Sequence, residues 1–299
     1  MKTWLKWTLR GVVALVAIAA AVAIAGTWLA EKKRTRQIDI RVLPVAIPTD
    51  AASIERGRYL YLSRGCTDCH GTNGAGRDFV NDGGMRLAGP NISPGPGNVV
   101  ANYQPEDWVR TLRHGVKPNK QPVFIMPSED YNRLTDADTG ALIAYVKSLP
   151  PANGGAAVVQ LPLPVKVLYG FGAIPDPPEK INHTLPPALP VAAGVTAEHG
   201  AYVANMCIGC HGAGLSGGKI PGGPPDWPAA ANLTPGENGV LGNYKDAAQF
   251  ATMFKSGKRP DGSAIKVMPF ESLREVNDTD VQALYAFLKT VPAKPFGQR

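Results

Sequence analysis

Cys66-Thr67-Asp68-Cys69-His70 and Cys207-Ile208-Gly209-Cys210-His211 decide how this chain is read. Both are Cys-x-x-Cys-His, and together they use all four cysteines of the 299 residues. Two cysteines three positions apart share one helical turn, so their sulfurs are placed to form thioethers to the two vinyl groups of a haem. The histidine that follows is then held beneath the iron as proximal ligand. Cys66, Cys69, Cys207 and Cys210 are therefore the expected attachment points of two covalently bound haem c groups, with His70 and His211 as axial ligands. A redox dithiol needs no histidine after each pair. A zinc site of four thiolates would join pairs 141 residues apart, far beyond zinc-ribbon spacing.

The match extends along the chain and makes it an internal repeat. Asn91-Ile92-Ser93-Pro94 returns as Asn232-Leu233-Thr234-Pro235, Asn102-Tyr103 as Asn243-Tyr244, and Met126-Pro127 as Met268-Pro269. Asp136, Tyr145, Lys147 and Pro150 return as Asp278, Phe287, Lys289 and Pro292. Each unit is about 100 residues, the size of a domain rather than of a solenoid repeat. Helices are expected over 53–63, 105–114 and 135–148, and again over 196–205, 245–256 and 277–290. Cap residues and early aspartates open the last helix of each set. The Gly-, Pro- and Asn-rich stretches 71–97 and 212–242 read as irregular, and the fold class expected is all-α.

A low-spin electron carrier needs a second axial ligand. Met126 and Met268 follow their histidines by 56 and 57 residues, precede proline, and occupy matched repeat positions. Both are assigned as axial ligands. Met206 abuts Cys207, and Met85 and Met253 have no counterpart in the other unit. His114 is the rival ligand, but it matches Ser256. His183, in the linker, and His199, at a helix start, are expected in solvent. Asn91, Asn232, Tyr103, Tyr244 and Trp108 suit either the haem propionates or ordinary loop and core positions.

The net charge of +7 belongs almost wholly to the N-terminus. Lys2, Lys6, Arg10, Lys32, Lys33, Arg34 and Arg36 against Glu31 give the first 36 residues +6, leaving no basic face for nucleic acid. Gly11 to Ala30 carries no charged side chain and, as a helix, spans a bilayer core. Trp4, Trp7 and Trp28 bracket it, as interfacial aromatics do. An Ala23-Ile24-Ala25 site offers a cleaved signal peptide as the alternative. Haem is attached outside the cytoplasm, which sets the orientation: residues 1–10 cytoplasmic, 11–30 a single-pass anchor in the bacterial inner membrane, and the haem domains in the periplasm. Residues 31–52 read as a spacer lifting the first domain off the bilayer. Domain 1 is expected over 53–151, a proline-rich linker over 152–194 and domain 2 over 195–299. The stretch 150–190 holds 10 prolines in 41 residues, so it reads as a stiff strap, with Val165 to Ile174 apolar enough to lie against a domain.

The runs NISPGPGNVVANYQPEDWVRTLRHGVKP (91–118) and NLTPGENGVLGNYKDAAQFATMFKSGKRPDG (232–262) resemble the cytochrome c subunits of membrane-bound periplasmic dehydrogenases of the alcohol and gluconate or sorbitol types. The linker run LPLPVKVLYGFGAI (161–174) is similar to the inter-domain crossing segment of that family. The resemblance covers residues 53–299 and implies two tandem class I cytochrome c-like domains. It also implies a non-catalytic electron-transfer role in a hetero-oligomeric complex, with a periplasmic dehydrogenase or other redox protein as partner. The alcohol and gluconate subunits commonly carry three haems, and this chain has two motifs. Met/His ligation closes the iron to substrate, so a dihaem peroxidase, which needs a displaceable sixth ligand, is the alternative that the paired methionines disfavour.

Overall fold

An uncharged run with no proline has nothing to interrupt a helix. In the computed structural model, which describes residues 3–224 and 226–299, α1 runs from Thr3 to Thr35. It outruns the 20 apolar residues and ends in the basic turn Lys32–Arg34, whose cations complement the helix dipole. It is long and apolar enough to cross a membrane.

The first domain begins with α2 (Ala51–Ser63), two residues earlier than its sequence suggests, because the Asp50 carboxylate caps it by accepting from the Ser53 amide at 2.9 Å. The Cys-x-x-Cys-His turn is α3 (Cys66–His70). The chain is mostly helical, as the expected all-α class requires, but the next stretch adds a small sheet. β1 (Asp78–Asp82) and β2 (Met85–Ala88) form an antiparallel hairpin through Gly83-Gly84, both at positive φ (57° and 78°). That two-residue turn has the twist that strands require. α4 (Pro105–His114), the short α5 (Ser128–Tyr131) and α6 (Asp136–Ser148) complete the domain. From the linker, β3 (Val158–Gln160) adds antiparallel to β2 and covers the buried Leu87.

α7 (Leu163–Gly170) carries the apolar linker run, which lies against α1 and also touches domain 1, where Tyr169 packs on Phe124 with ring centroids 5.2 Å apart. The approach is close: a Cβ on Gly170 would fall 2.1 Å from the Gly26 carbonyl oxygen, so glycine is required there. Charge then clips the linker to the end of α1. Arg36 donates through both terminal nitrogens to the buried Asp176 (2.5 and 2.7 Å), and Lys33 pairs with Glu179 at 2.7 Å. The stretch after α1 is fastened too, with the Ile38 amide on the Lys120 carbonyl and Val45 in the core of domain 1. Residues 31–52 thus comprise the end of α1, an irregular segment fastened to domain 1 and the start of α2.

The second domain repeats the plan with α8 (Ala197–Val203), α9 (Ile208–His211), α10 (Ala247–Ser256), α11 (Phe270–Leu273) and α12 (Asp278–Leu288). In both domains the first and last helices cross at a glycine. A Cβ on Gly57 would lie 2.0 Å from the Ala141 carbonyl oxygen, and one on Gly200 would lie 1.9 Å from that of Ala283. Only backbone fits at either crossing, which accounts for the matched glycines. Leu60, Tyr61, Trp108, Leu142 and Ile143 fill one core; Val203, Phe250, Val276, Val281 and Leu284 fill the other.

The two domains meet through contacts that come in pairs. Tyr59 donates to Asp280 at 2.7 Å, and Tyr202, its repeat counterpart, donates to Asp138 at 2.6 Å. Ser272 donates to Asp68 at 2.9 Å, while the Gly209 amide donates to Asp130 at 2.8 Å. Reciprocity of this kind marks a two-fold interface. It sets α3 against α11 and α9 against α5, so each Cys-x-x-Cys-His turn touches the helix after Met-Pro of the other domain.

Candidate haem-binding sites

His70 and His211 are oriented by the same device. The His70 Nδ1 is 2.9 Å from the Pro90 carbonyl oxygen, and the His211 Nδ1 is 2.8 Å from that of Ala231. A carbonyl only accepts, so Nδ1 carries the proton and Nε2 keeps its lone pair for a metal. Burial lowers both imidazole pKa values, which keeps the rings neutral. In each unit the acceptor is the residue that precedes the asparagine of the Asn-x-Ser/Thr-Pro motif.

The asparagines themselves are loop staples. Asn91 is wholly buried, donates to the carbonyls of Pro96 (2.8 Å) and Ala152 (2.9 Å), and accepts from the Ser93 amide and hydroxyl. Asn232 does the same with Glu237, Lys294 and Thr234. The pair ties the histidine-orienting loop to the chain leaving the last helix, and its amides are fully used there.

Met126 and Met268 are presented by identical turns. Pro127 has φ −77° and ψ 64°, Pro269 φ −78° and ψ 71°. The amides of Ser128 and Phe270 donate to the carbonyls of Met126 (2.8 Å) and Met268 (2.9 Å). This is the inverse γ-turn, and proline presets its φ. In domain 1 a mostly apolar cavity of about 1020 Å³ is lined by Cys66, Cys69 and His70 together with Met126, Tyr103 and Trp108. Met268 packs against the core of domain 2.

The residues fit a haem. Two sulfurs on one turn, a neutral imidazole with a free lone pair and a methionine thioether border one apolar space of porphyrin-compatible size. Burial pushes the Cys66 and Cys207 thiols up to about 12 and Cys69 to about 11, so these sulfurs are held as neutral thiols. Among the described residues no three His, Cys, Asp or Glu side chains converge as a metal cluster.

Of the other histidines, His114 stays away from the cavity, as its mismatch with Ser256 suggests, while His183 and His199 are not where the sequence put them. His114 is absent from the cavity wall and shares a hydrogen bond with His183, Nδ1 to Nδ1 at 3.0 Å. His199 is 2% exposed and bonds Asp280 at 2.8 Å. His183, expected in solvent, is held by His114 and by the Pro178 carbonyl, and His199, also expected in solvent, by Asp280.

The family model for cytochrome c matches residues 54–150 and again 197–292. The chain belongs to the cytochrome c family. Membership makes covalently bound haem c the cofactor of these domains. Across its length the chain is similar to the fructose dehydrogenase cytochrome subunit of Gluconobacter japonicus, 29% identical over 86% of this chain and 57% of that protein. It is also similar to the cytochrome c subunit of the alcohol dehydrogenase (quinone) of Gluconobacter oxydans (28%; 83% and 57%) and to that of the gluconate 2-dehydrogenase of Pantoea cypripedii (26%; 83% and 61%). This cytochrome thus spans about three fifths of the length of these relatives. Their names give the peroxidase alternative no support.

Proposed function

We propose that this is a membrane-anchored dihaem cytochrome c that carries electrons between a periplasmic dehydrogenase, or another redox partner, and the respiratory chain, as the non-catalytic subunit of a hetero-oligomeric complex. One haem is held by Cys66 and Cys69 with His70 and Met126 as axial ligands, the other by Cys207 and Cys210 with His211 and Met268. When bound, haem iron supplies one-electron redox chemistry. The chain's own residues do the rest. Pro90 and Ala231 fix the imidazoles, and the two Met-Pro turns close the sixth positions. Methionine with histidine raises the potential and leaves no open site for substrate. α1 is read as a single-pass anchor in the inner membrane, with the haem domains in the periplasm.

The observation that carries this reading is the paired interface. It sets each Cys-x-x-Cys-His turn against the other domain, the arrangement that passage between two haems requires. The test is a reduced-minus-oxidised spectrum of the membrane-bound protein with a redox titration. Two covalently held low-spin haems at positive potential, with a methionine-to-iron charge-transfer band, are expected. A high-spin component, or one strongly negative haem, would refute a methionine assignment.

A further inference from the structure

The cavity of domain 1 is not closed by domain 1 alone. Its wall continues onto Thr27, Ala30, Glu31 and Arg34 of α1 and onto Lys166 and Tyr169 of α7. Its charged lining, apart from His70, is Arg34, Lys117 and Lys166 against the single carboxylate of Glu31. The wall therefore carries a net charge of +2.

Lys117 is the group that needs an anion. It is half-buried, on the turn between α4 and Met126, where its amide donates to the Gln121 carbonyl and its own carbonyl accepts from Lys120. Among the described residues its ammonium forms no salt bridge, and the Arg34 guanidinium that lines the same cavity acts on it as a like charge. Burial first, and that like charge second, push its pKa down. Two cations converging at the edge of an apolar cavity repel each other unless an anion lies between them. Arg34 is steadied by Glu31 at 2.7 Å, but Lys117 has no such partner. The second unit places a cation at the matched position, Arg259, whose amide likewise donates across its turn, to the Ser263 carbonyl. A cation on this turn is thus common to both halves, whereas the help from α1 is given to the first alone.

A haem brings two propionate carboxylates, enough to neutralise a wall of +2. We propose that Lys117 and Arg34 hold the propionates of the haem in domain 1, so that the membrane anchor forms part of that haem's site and sets its potential. The inference rests on the dihaem reading above. It adds a role for the end of α1 that neither the Cys-x-x-Cys-His motif nor the Met-Pro turn requires.

The experiment is a redox titration of the full-length membrane protein carrying Lys117→Gln, Lys117→Arg or Arg34→Gln. A nearby cation favours the electron-rich reduced state. Lys117→Gln is expected to lower the reduction equilibrium constant of one haem about tenfold, 59 mV for one electron, and to leave the other haem unmoved. Lys117→Arg restores the parent value. The exposed Arg34→Gln, which leaves folding untouched, moves the same haem in the same direction by less. In Lys117→Gln the pH dependence of that haem's potential also moves to higher pH, because a propionate that loses its cation is harder to ionise. Unchanged potentials in both neutralising variants, or equal shifts of both haems, would overturn the proposal while leaving the dihaem reading standing. So would a shift that needs anionic vesicles and vanishes in detergent, since the cations would then serve lipid headgroups. A parent protein without covalent haem would overturn the dihaem reading itself, and this inference with it, before any variant is compared.

Discussion

Arg64, at the end of α2, donates to Asp280 of the second domain at 2.9 Å, and both side chains are at most 5% exposed. Asp280 also accepts from Tyr59 and is bonded by His199, so one buried carboxylate gathers an arginine, a phenol and an imidazole from both domains. Its counterpart Asp138 has Arg56 and Tyr202, in a more exposed setting. The halves are thus alike in plan and unequal in burial.

Asp280→Ala is expected to destabilise the holoprotein by roughly 3–5 kcal/mol, because it leaves the Arg64 charge buried without a partner. Asp138→Ala costs distinctly less, since Arg56 reaches water. Thermal melts of the two variants side by side check the order. Burial alone would raise the Asp280 pKa, but the Arg64 charge and the hydrogen bonds from Tyr59 and His199 outweigh it and leave it lowered. A depressed carboxylate stabilises the fold above its ordinary pKa, and that contribution is lost as the pH falls from about 4 downward. The gap between parent and Asp280→Ala should narrow over that range.

The crossings at Gly57 and Gly200 leave no room for a methyl group. Gly57→Ala or Gly200→Ala is expected to force the helices apart at a cost of about 1–3 kcal/mol each. Because the crossings lie in separate domains, the double variant should show nearly the sum, read from denaturant midpoints.

Burial, and next to it His183, lowers the His114 pKa to about 4. The unfolded chain takes up this proton near pH 6.5 and the folded chain only near 4, so stability falls as the pH drops between those values. His114→Gln should flatten that slope without touching the haem spectrum. A melt series from pH 7 to pH 4 checks it.

Met126→Ala and Met268→Ala should each remove about half of the methionine-to-iron band and lower the potential of one haem, with both haems still attached. Cys66→Ser should instead weaken attachment of one haem alone. Absorption spectra and haem-stained gels separate the two kinds of loss.

Much of this was legible in the sequence because the chemistry is local. Cys-x-x-Cys-His, the Met-Pro pairs and the cap residues each act within a few positions, and the repeat let one half check the other. The hairpin was missed because glycine in 71–97 reads as breakage, although Gly83-Gly84 between Phe79-Val80 and Met85-Arg86-Leu87 is a hairpin signal. What was out of reach is what distant segments decide. No pattern near His199 announces Asp280, 81 residues on. The placement of α7 depends on the smooth surface that Gly26 and Gly170 make together. The amides of Asn91 and Asn232 look free in sequence and are spent on carbonyls about 60 residues away.

The reciprocal contacts between the two halves have one more implication. A unit that carries tyrosine on its first helix and aspartate on its last holds both sides of the same handshake. Such a unit, alone, is complementary to itself, so a one-haem ancestor with this face would have paired with its own kind before any linker joined the copies. The strap from 150 to 190 then converts a concentration-dependent pairing into a permanent one.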